Sequence, residues 1–166
     1  MLIKAKTIQL YTAEKVQLFD LTNEVKRFLA EIGIWNGIGV VSTLHTTTGV
    51  FFTEVQDALW DDVRAFLNQL VSERIEYKHN DPCFSDCDRQ NATAHLRSIV
   101  LGGSLALQAE NGRLVLGQYQ RIIFAELDGP RLRSLRMQFM GEEITQELRD
   151  WDRKDREQLP ADGGLR

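Results

Sequence analysis

Apolar and polar residues alternate along IKAKTIQLYT (3–12), which predicts a strand, and KVQLFD (15–20) predicts a second one behind a short polar turn. The period then lengthens. Leu21, Val25, Phe28, Leu29 and Ile32 fall on one helical stripe, with Asp20 placed to cap its start and Gly33 to stop it. IGVVSTL (38–44) is almost continuously β-branched or apolar, the pattern of a strand buried on both faces. A second amphipathic helix carries Leu59, Val63, Phe66, Leu67 and Leu70 on one face, with Asp57, Asp61 and Asp62 near its positive end. YKHNDPCFSDCDRQN (77–91) is polar and broken by proline, so it reads as a loop, and ATAHLRSIVLG (92–102) reads as a short third helix ending at glycine.

From residue 104 the period returns to two. SLALQ (104–108), RLVLG (113–117), QRIIFAEL (120–127) and RLRSLRMQFM (131–140) predict four strands, with ENG (110–112) and DGP (128–130) supplying turn chemistry. Strand-rich ends around a helical middle give one α+β domain over residues 1–141. The charged segment 142–166 is expected to be an extension, helical and then frayed.

Composition changes this picture little. The chain has 166 residues, enough for one domain with a real core, and is 43% hydrophobic and 27% charged. A net charge of −4, with no Lys/Arg run clear of acids, argues against a nucleic-acid partner. There is no transmembrane run, and MLIKAKTIQLYTAEK lacks the apolar centre of a signal peptide, so no membrane association and a cytoplasmic location are expected. Trp35, Trp60 and Trp151 read as packing residues.

The chemistry-bearing residues are few. The histidines are His45, His79 and His95. If they converge, three imidazoles make a metal site with an open position, suited to a borderline ion such as zinc; spacing alone does not report adjacency and favours three separate side chains. Glu54 and Asp81 are candidates to orient imidazole N–H groups or to move a proton. Hydroxyls of Thr46, Thr47 and Thr48 could face a ligand or a bound anion. A rival metal set is His79, Cys83 and Cys87, but no second cysteine pair completes it, and two free thiols are the simpler reading. Gln120 either presents its amide to a substrate or sits in a bend relieved by Gly117. Arg131 and Arg133 share one face of a strand, where they hold phosphate oxygens or form an exposed polar face.

Taken in order, STLHTTTGVFFTE, YKHND, NATAHLRSIVLGGSLAL and NGRLVLGQYQRIIFAELDGPRLR resemble the YjbQ-like family, described as secondary thiamine-phosphate synthases, over nearly residues 1–141. The resemblance implies a mixed α+β fold with an antiparallel, β-sandwich-like core, two main amphipathic helices and a short third one. It also implies a homotrimer, and three motif histidines meeting in a pocket that holds a metal or an anion. These map onto His45, His79 and His95; the family's acidic residue falls on Glu54, and the aspartate of HND is Asp81. The family's Gly-Thr-Trp-Gln strand signature reads Gly117-Gln118-Tyr119-Gln120 here, and Thr47, Thr48 and Gly49 replace the usual small residues after the first histidine.

The activity so implied joins a pyrimidine pyrophosphate to a thiazole phosphate and releases pyrophosphate. Arg97, Arg131 and Arg133 would then hold phosphate oxygens of a small phosphorylated substrate, beside a divalent metal. Three histidines favour zinc or a similar ion, whereas pyrophosphate chemistry normally uses magnesium. The same pocket would also suit a metal-dependent hydrolase with Glu54 as base, or a non-catalytic trimer that binds a metal or ligand.

Overall fold

Two antiparallel sheets frame the core in a computed structural model that describes residues 1–148. The larger sheet is built from β1 (Leu2–Tyr11), β3 (Ile34–Thr43), β5 (Ser104–Glu110), β6 (Arg113–Leu114) and β8 (Leu132–Glu143), in the spatial order β1-β8-β3-β5-β6. The smaller contains β2 (Gln17–Asp20), β4 (Thr48–Thr53) and β7 (Arg121–Glu126), in the order β2-β7-β4. Between strands run α1 (Thr22–Ile32), α2 (Asp57–Leu70) and α3 (Ala92–Leu101). The expected α+β class with a sandwich-like core is therefore the observed one.

One apolar cluster fills the space between the sheets. Ile122 and Phe124 of β7 and Val50 of β4 meet Val41, Leu135, Met137 and Phe139 of the larger sheet, and α1 adds Val25, Phe28 and Leu29. A second cluster lies on the other side of the small sheet. There Ile123 and Ala125 pack against Leu67 of α2 and Ala94 of α3. Thus β7 is the strand buried on both faces, which explains its unbroken run Ile122-Ile123-Phe124-Ala125.

The sequence assigned that double burial to β3, and the structure corrects it. Ile38 is 59% exposed and Val40 also points outward, because α2 and α3 pack on the small sheet and α1 between the sheets, leaving the outer face of the large one uncovered. The α2 stripe is corrected too. Its contact with the sheet runs through Trp60, Val63 and Leu67, while Phe66 and Leu70 are each 54% exposed. Residues 48–53, given no separate strand by pattern, form β4, so STLHTTTGVFFTE is two strands joined by a turn at 44–47.

At the start of α1 the N-cap position falls on Leu21, one residue past the expected Asp20, and Asp20 Oδ1 still accepts from the Thr22 N–H (2.8 Å). Gly33 closes the helix at φ 68°, in the left-handed region that glycine enters without cost. Asn111 and Gly112, both at positive φ, turn β5 into β6. RLVLG pairs over only Arg113–Leu114. The domain boundary placed at 141 falls inside β8, which continues to Glu143. From residue 149 the expected helical extension lies outside the described residues, as does Trp151.

Candidate functional site

Strand alternation carries polar residues to one end of the sandwich. The inward positions of β7 are Ile122, Phe124 and then Glu126; those of β8 are Arg133 and then Leu135, Met137 and Phe139. Glu126 and Arg133 thus continue the core as an ion pair, 0% and 2% exposed. Arg133 Nε donates to Glu126 Oε2 and Nη2 to Oε1, both at 2.5 Å, a bidentate match of fork to carboxylate. The remaining acceptor capacity is used. Oε2 also takes the Thr12 hydroxyl at 3.0 Å, and Oε1 takes the backbone N–H groups of Leu127 (2.9 Å) and Asp128 (2.8 Å). Such saturation is what lets a buried pair offset its desolvation cost.

His45 lies in the turn between β3 and β4. Its Nε2 accepts from the backbone N–H of Ser134 at 2.8 Å, and the Leu44 N–H donates to the Ser134 carbonyl at 3.1 Å. Burial lowers the pKa of His45 below the ordinary value; the positive charge of Arg133 lowers it further, and Glu126 opposes both. The ring is therefore held neutral, with its lone pair on Ser134 and its proton on Nδ1.

The loop from 77 to 91 begins with a single 3-10 turn, Lys78–Asn80, and feeds α3. Asn80 Oδ1 accepts from the Ala92 N–H (2.9 Å), tying the turn to the start of α3. The Asn91 carbonyl accepts from the His95 N–H at 3.3 Å, so His95 stands one helical turn beyond Asn91. These ties bring the rings of His79 and His95 edge to face, with centroids 5.0 Å apart at 89°. Ser85 Oγ is 3.5 Å from His79 Nδ1. Asn91 Nδ2 donates to Asp128 Oδ2 at 2.8 Å, which joins this corner to the loop between β7 and β8. Beside it, an open cavity of about 520 Å³ is lined by Ile75, Tyr77, Lys78, Asp81 and Phe84, among others.

The structure thus brings His79 and His95 together and does not add His45 to them. His45 has no lone pair left for a metal, and among the described residues no group of three or more His, Cys, Asp or Glu could hold a metal ion. The donor set does not fit a three-imidazole centre, and the rival set with Cys83 and Cys87 fails on the same observation. Both thiols are free, and Cys87 Sγ donates to Asn91 Oδ1 at 3.6 Å.

Several other sequence-chosen residues are committed to the protein's own contacts. Thr47 is buried and receives Arg133 Nη2 at 3.0 Å; Thr48 is buried against Thr43; only Thr46 of the three is exposed. Arg133 is committed to Glu126. Arg97 is buried, giving Nη2 to the Val71 carbonyl (2.8 Å) with Glu73 3.6 Å from Nη1, so neither arginine is offered to a ligand. Gln120 Oε1 accepts from the Gly117 N–H (3.1 Å) and closes a turn. Asp81 Oδ1 accepts from the Cys83 N–H (2.8 Å) and shapes the loop. Glu54 is exposed between β4 and α2, where its carbonyl accepts the Trp60 indole N–H (3.0 Å); its carboxylate makes no hydrogen bond or ion pair among the described residues. Arg131 remains at the candidate site, with Nη2 3.0 Å from Asp128 Oδ2.

Sequence reading missed Glu126, Asp128, Asn80, Asn91 and Arg89, which organise this corner. The signal for Glu126 was present: a carboxylate closing the apolar run IIFA needs a buried partner.

Comparison with known proteins adds the following. A family model described as "UPF0047 protein YjbQ-like" matches residues 6–142. A UPF0047 protein of Methanothermobacter thermautotrophicus is 37% identical over 139 residues, covering 84% of this chain and 93% of that protein. The UPF0047 protein YugU of Bacillus subtilis is 36% identical over 139 residues, covering 82% and 98%. Among solved structures, a YbjQ-like protein of unknown function from Sulfolobus solfataricus superposes with a TM-score of 0.78 at 30% identity, covering 84% of this chain and 98% of that one. A hypothetical protein from Aeropyrum pernix gives 0.76 at 34% identity, covering 84% and 99%.

These findings overturn the activity that the resemblance implied. The relatives carry no assignment as thiamine-phosphate synthases, and the solved neighbour is described as of unknown function. The three-histidine metal pocket that the synthase reading required is not formed among the described residues. The metal-dependent hydrolase and the metal-holding trimer relied on the same cluster and fall with it.

Proposed function

The chain belongs to the YjbQ-like UPF0047 family, and from that premise we propose that it is an enzyme performing proton-transfer chemistry on a small phosphorylated molecule beside His79 and His95. The observation that carries the reading is the edge-to-face pair of imidazoles at 5.0 Å. Imidazole is the side chain suited to giving and taking protons near neutral pH, and two adjacent rings allow one to accept a proton while the other donates one. Both rings reach the surface, as an acid–base pair must, whereas His45 is tied to backbone.

Two further features support a ligand here. A cavity large enough for a small metabolite opens beside the 3-10 turn that carries His79, lined by the flanking Lys78 and Asn80 and not by either imidazole. Arg89 and Arg131 stand at the same corner and supply positive charge. A cytoplasmic location belongs to the same reading and is supported by the two free thiols, which suit a reducing compartment. So does self-association, expected as a trimer, supported by the uncovered apolar positions on the large sheet.

The reading is tested by screening a panel of phosphate monoesters for turnover with the wild-type chain, His79→Gln and His95→Gln. Each variant is expected to lose roughly two orders of magnitude or more in kcat, the contribution of a positioned acid or base, while folding normally. Turnover that survives both substitutions would rule the pair out.

A further inference from the structure

Asp128 Oδ2 collects an unusual number of donors. Besides Asn91 Nδ2 it meets Arg89 Nε at 3.2 Å and Arg131 Nη2 at 3.0 Å. Two guanidinium groups are therefore held side by side on one carboxylate oxygen, and Asp128 itself is 9% exposed. The charges do not balance: two positive groups share a single negative one, leaving a surplus of one positive charge at a corner open to water.

The donors are also in surplus. Arg89 uses only Nε, and its side chain is 51% exposed, so its Nη edge has no protein partner among the described residues. Arg131 makes an ion-pair contact through Nη2 but no aligned side-chain hydrogen bond, and its shielded Nε and Nη2 atoms lack hydrogen-bond partners. Those two atoms are closed to solvent, so what Arg131 can offer a ligand is the rest of its guanidinium, 30% of the side chain being exposed. Arg133 differs, since Glu126 and Thr47 take its donors; Arg97 also has an unpartnered Nε, but it is 2% exposed and gives Nη2 to the Val71 carbonyl, so no ligand reaches it.

We propose that Arg89 and Arg131, aligned by Asp128, form a clamp for a dianionic phosphoryl group. Planar guanidinium forks match phosphate oxygens bidentately, and a carboxylate behind both forks fixes their orientation before the ligand arrives. Asn91 couples the clamp to the histidine pair. Its side chain holds Asp128 while its carbonyl accepts the N–H of His95, so the clamp sits one helical turn from the imidazoles. The inference deepens the reading of this corner as a phosphorylated-ligand site: it states which residues hold the phosphoryl group.

The test is isothermal titration of the full chain near pH 7.5 with inorganic phosphate and with phenyl phosphate as a simple monoester, with acetate as a monoanionic control. Wild type is expected to bind both phosphates and not acetate, more weakly as salt rises. Arg89→Gln and Arg131→Gln are each expected to weaken binding about tenfold, the loss of one charge-assisted hydrogen bond, and the double variant to abolish it. Lys4→Gln, an exposed cation on β1 outside the clamp and the cavity, is expected to change nothing. Arg89 is half exposed, so its variant is expected to fold, and circular dichroism checks this. Preference for inorganic phosphate over phenyl phosphate would identify the free ion as the ligand; the reverse would identify the monoester. No phosphate binding by wild type, or unchanged binding in folded Arg89→Gln, overturns the clamp. His79→Gln separates the two ideas: it is expected to keep phosphate binding, so intact binding with unaffected turnover would sink the acid–base pair and leave the clamp standing.

Discussion

Nε2 of His45 accepts a 2.8 Å hydrogen bond from the backbone N–H of Ser134, 89 residues away. This bond pins the turn between β3 and β4 to β8. It also makes that junction sensitive to acid, because a protonated ring offers an N–H where the backbone needs an acceptor.

Stability is accordingly expected to fall as the pH drops below about 6.5, the ordinary histidine value. The sign follows from the lowered pKa of His45, caused first by burial and then by Arg133. Between the folded and unfolded values the unfolded chain binds the proton and the folded chain does not, so acid favours unfolding. Above that window the contribution is fully present. Urea denaturation at a series of pH values checks this. His45→Gln is expected to flatten the dependence over the window; an unchanged slope would remove His45 as its origin.

Loss of the Glu126 charge is expected to destabilise the fold strongly. Glu126→Gln leaves Arg133 buried with an unmatched charge, at a cost of about 3 kcal/mol. It also weakens the bonds from Thr12, Leu127 and Asp128. A double change, Glu126→Leu with Arg133→Met, removes both charges and is expected to recover much of the loss. Chemical denaturation of the three proteins decides it, and a single variant as stable as the wild type would show that the pair contributes nothing.

How far sequence pattern reached follows from what each element packs against. The α1 stripe and its Asp20 and Gly33 signals were legible because they are local, and so was the Asn111-Gly112 turn. The two-faced strand was misplaced. Apolar runs at 38–44 and 120–127 look alike, and only the packing of α2 and α3 on the small sheet decides which one is buried twice. In the same way, three histidines in separate motifs carry no record of distance: His79 meets His95 through the loop and α3, whereas His45 is drawn to β8. The arginines were misjudged because Arg133 and Arg97 face acceptors supplied by distant segments, Glu126 and Val71. Glu126 was the exception, a charge in an apolar run that could have been read as half of a buried pair.

Gly39 is expected to tolerate no side chain. A Cβ built there would lie 2.3 Å from Cε1 and 2.4 Å from Cδ1 of Phe139, whose ring is fully buried between the sheets and cannot retreat. Gly39→Ala should therefore cost about 1–3 kcal/mol, the range for overpacking a core. A melting temperature within error of the wild type would mean that the sandwich is softer than its packing implies.

The outer face of the large sheet is the place to test self-association. Ile3 of β1 and Ile38 and Val40 of β3 lie exposed on the two strands that flank β8, with register pairs Ile3–Met140 and Ile38–Met140 keeping their side chains on one surface. A contiguous apolar strip of this kind is unfavourable in water and is relieved by a partner surface of the same character. A second copy supplies such a surface without any other component. Light scattering on the purified chain is expected to give a mass above that of the 19.0 kDa monomer. Val40→Glu places a charge on the strip beside Ile38 and is expected to shift the mass to the monomer while far-UV circular dichroism stays unchanged. A wild-type chain that runs as a monomer at all concentrations would leave this face without the proposed partner, and an oligomer unaffected by Val40→Glu would move the interface to the exposed Phe66 and Leu70 of α2.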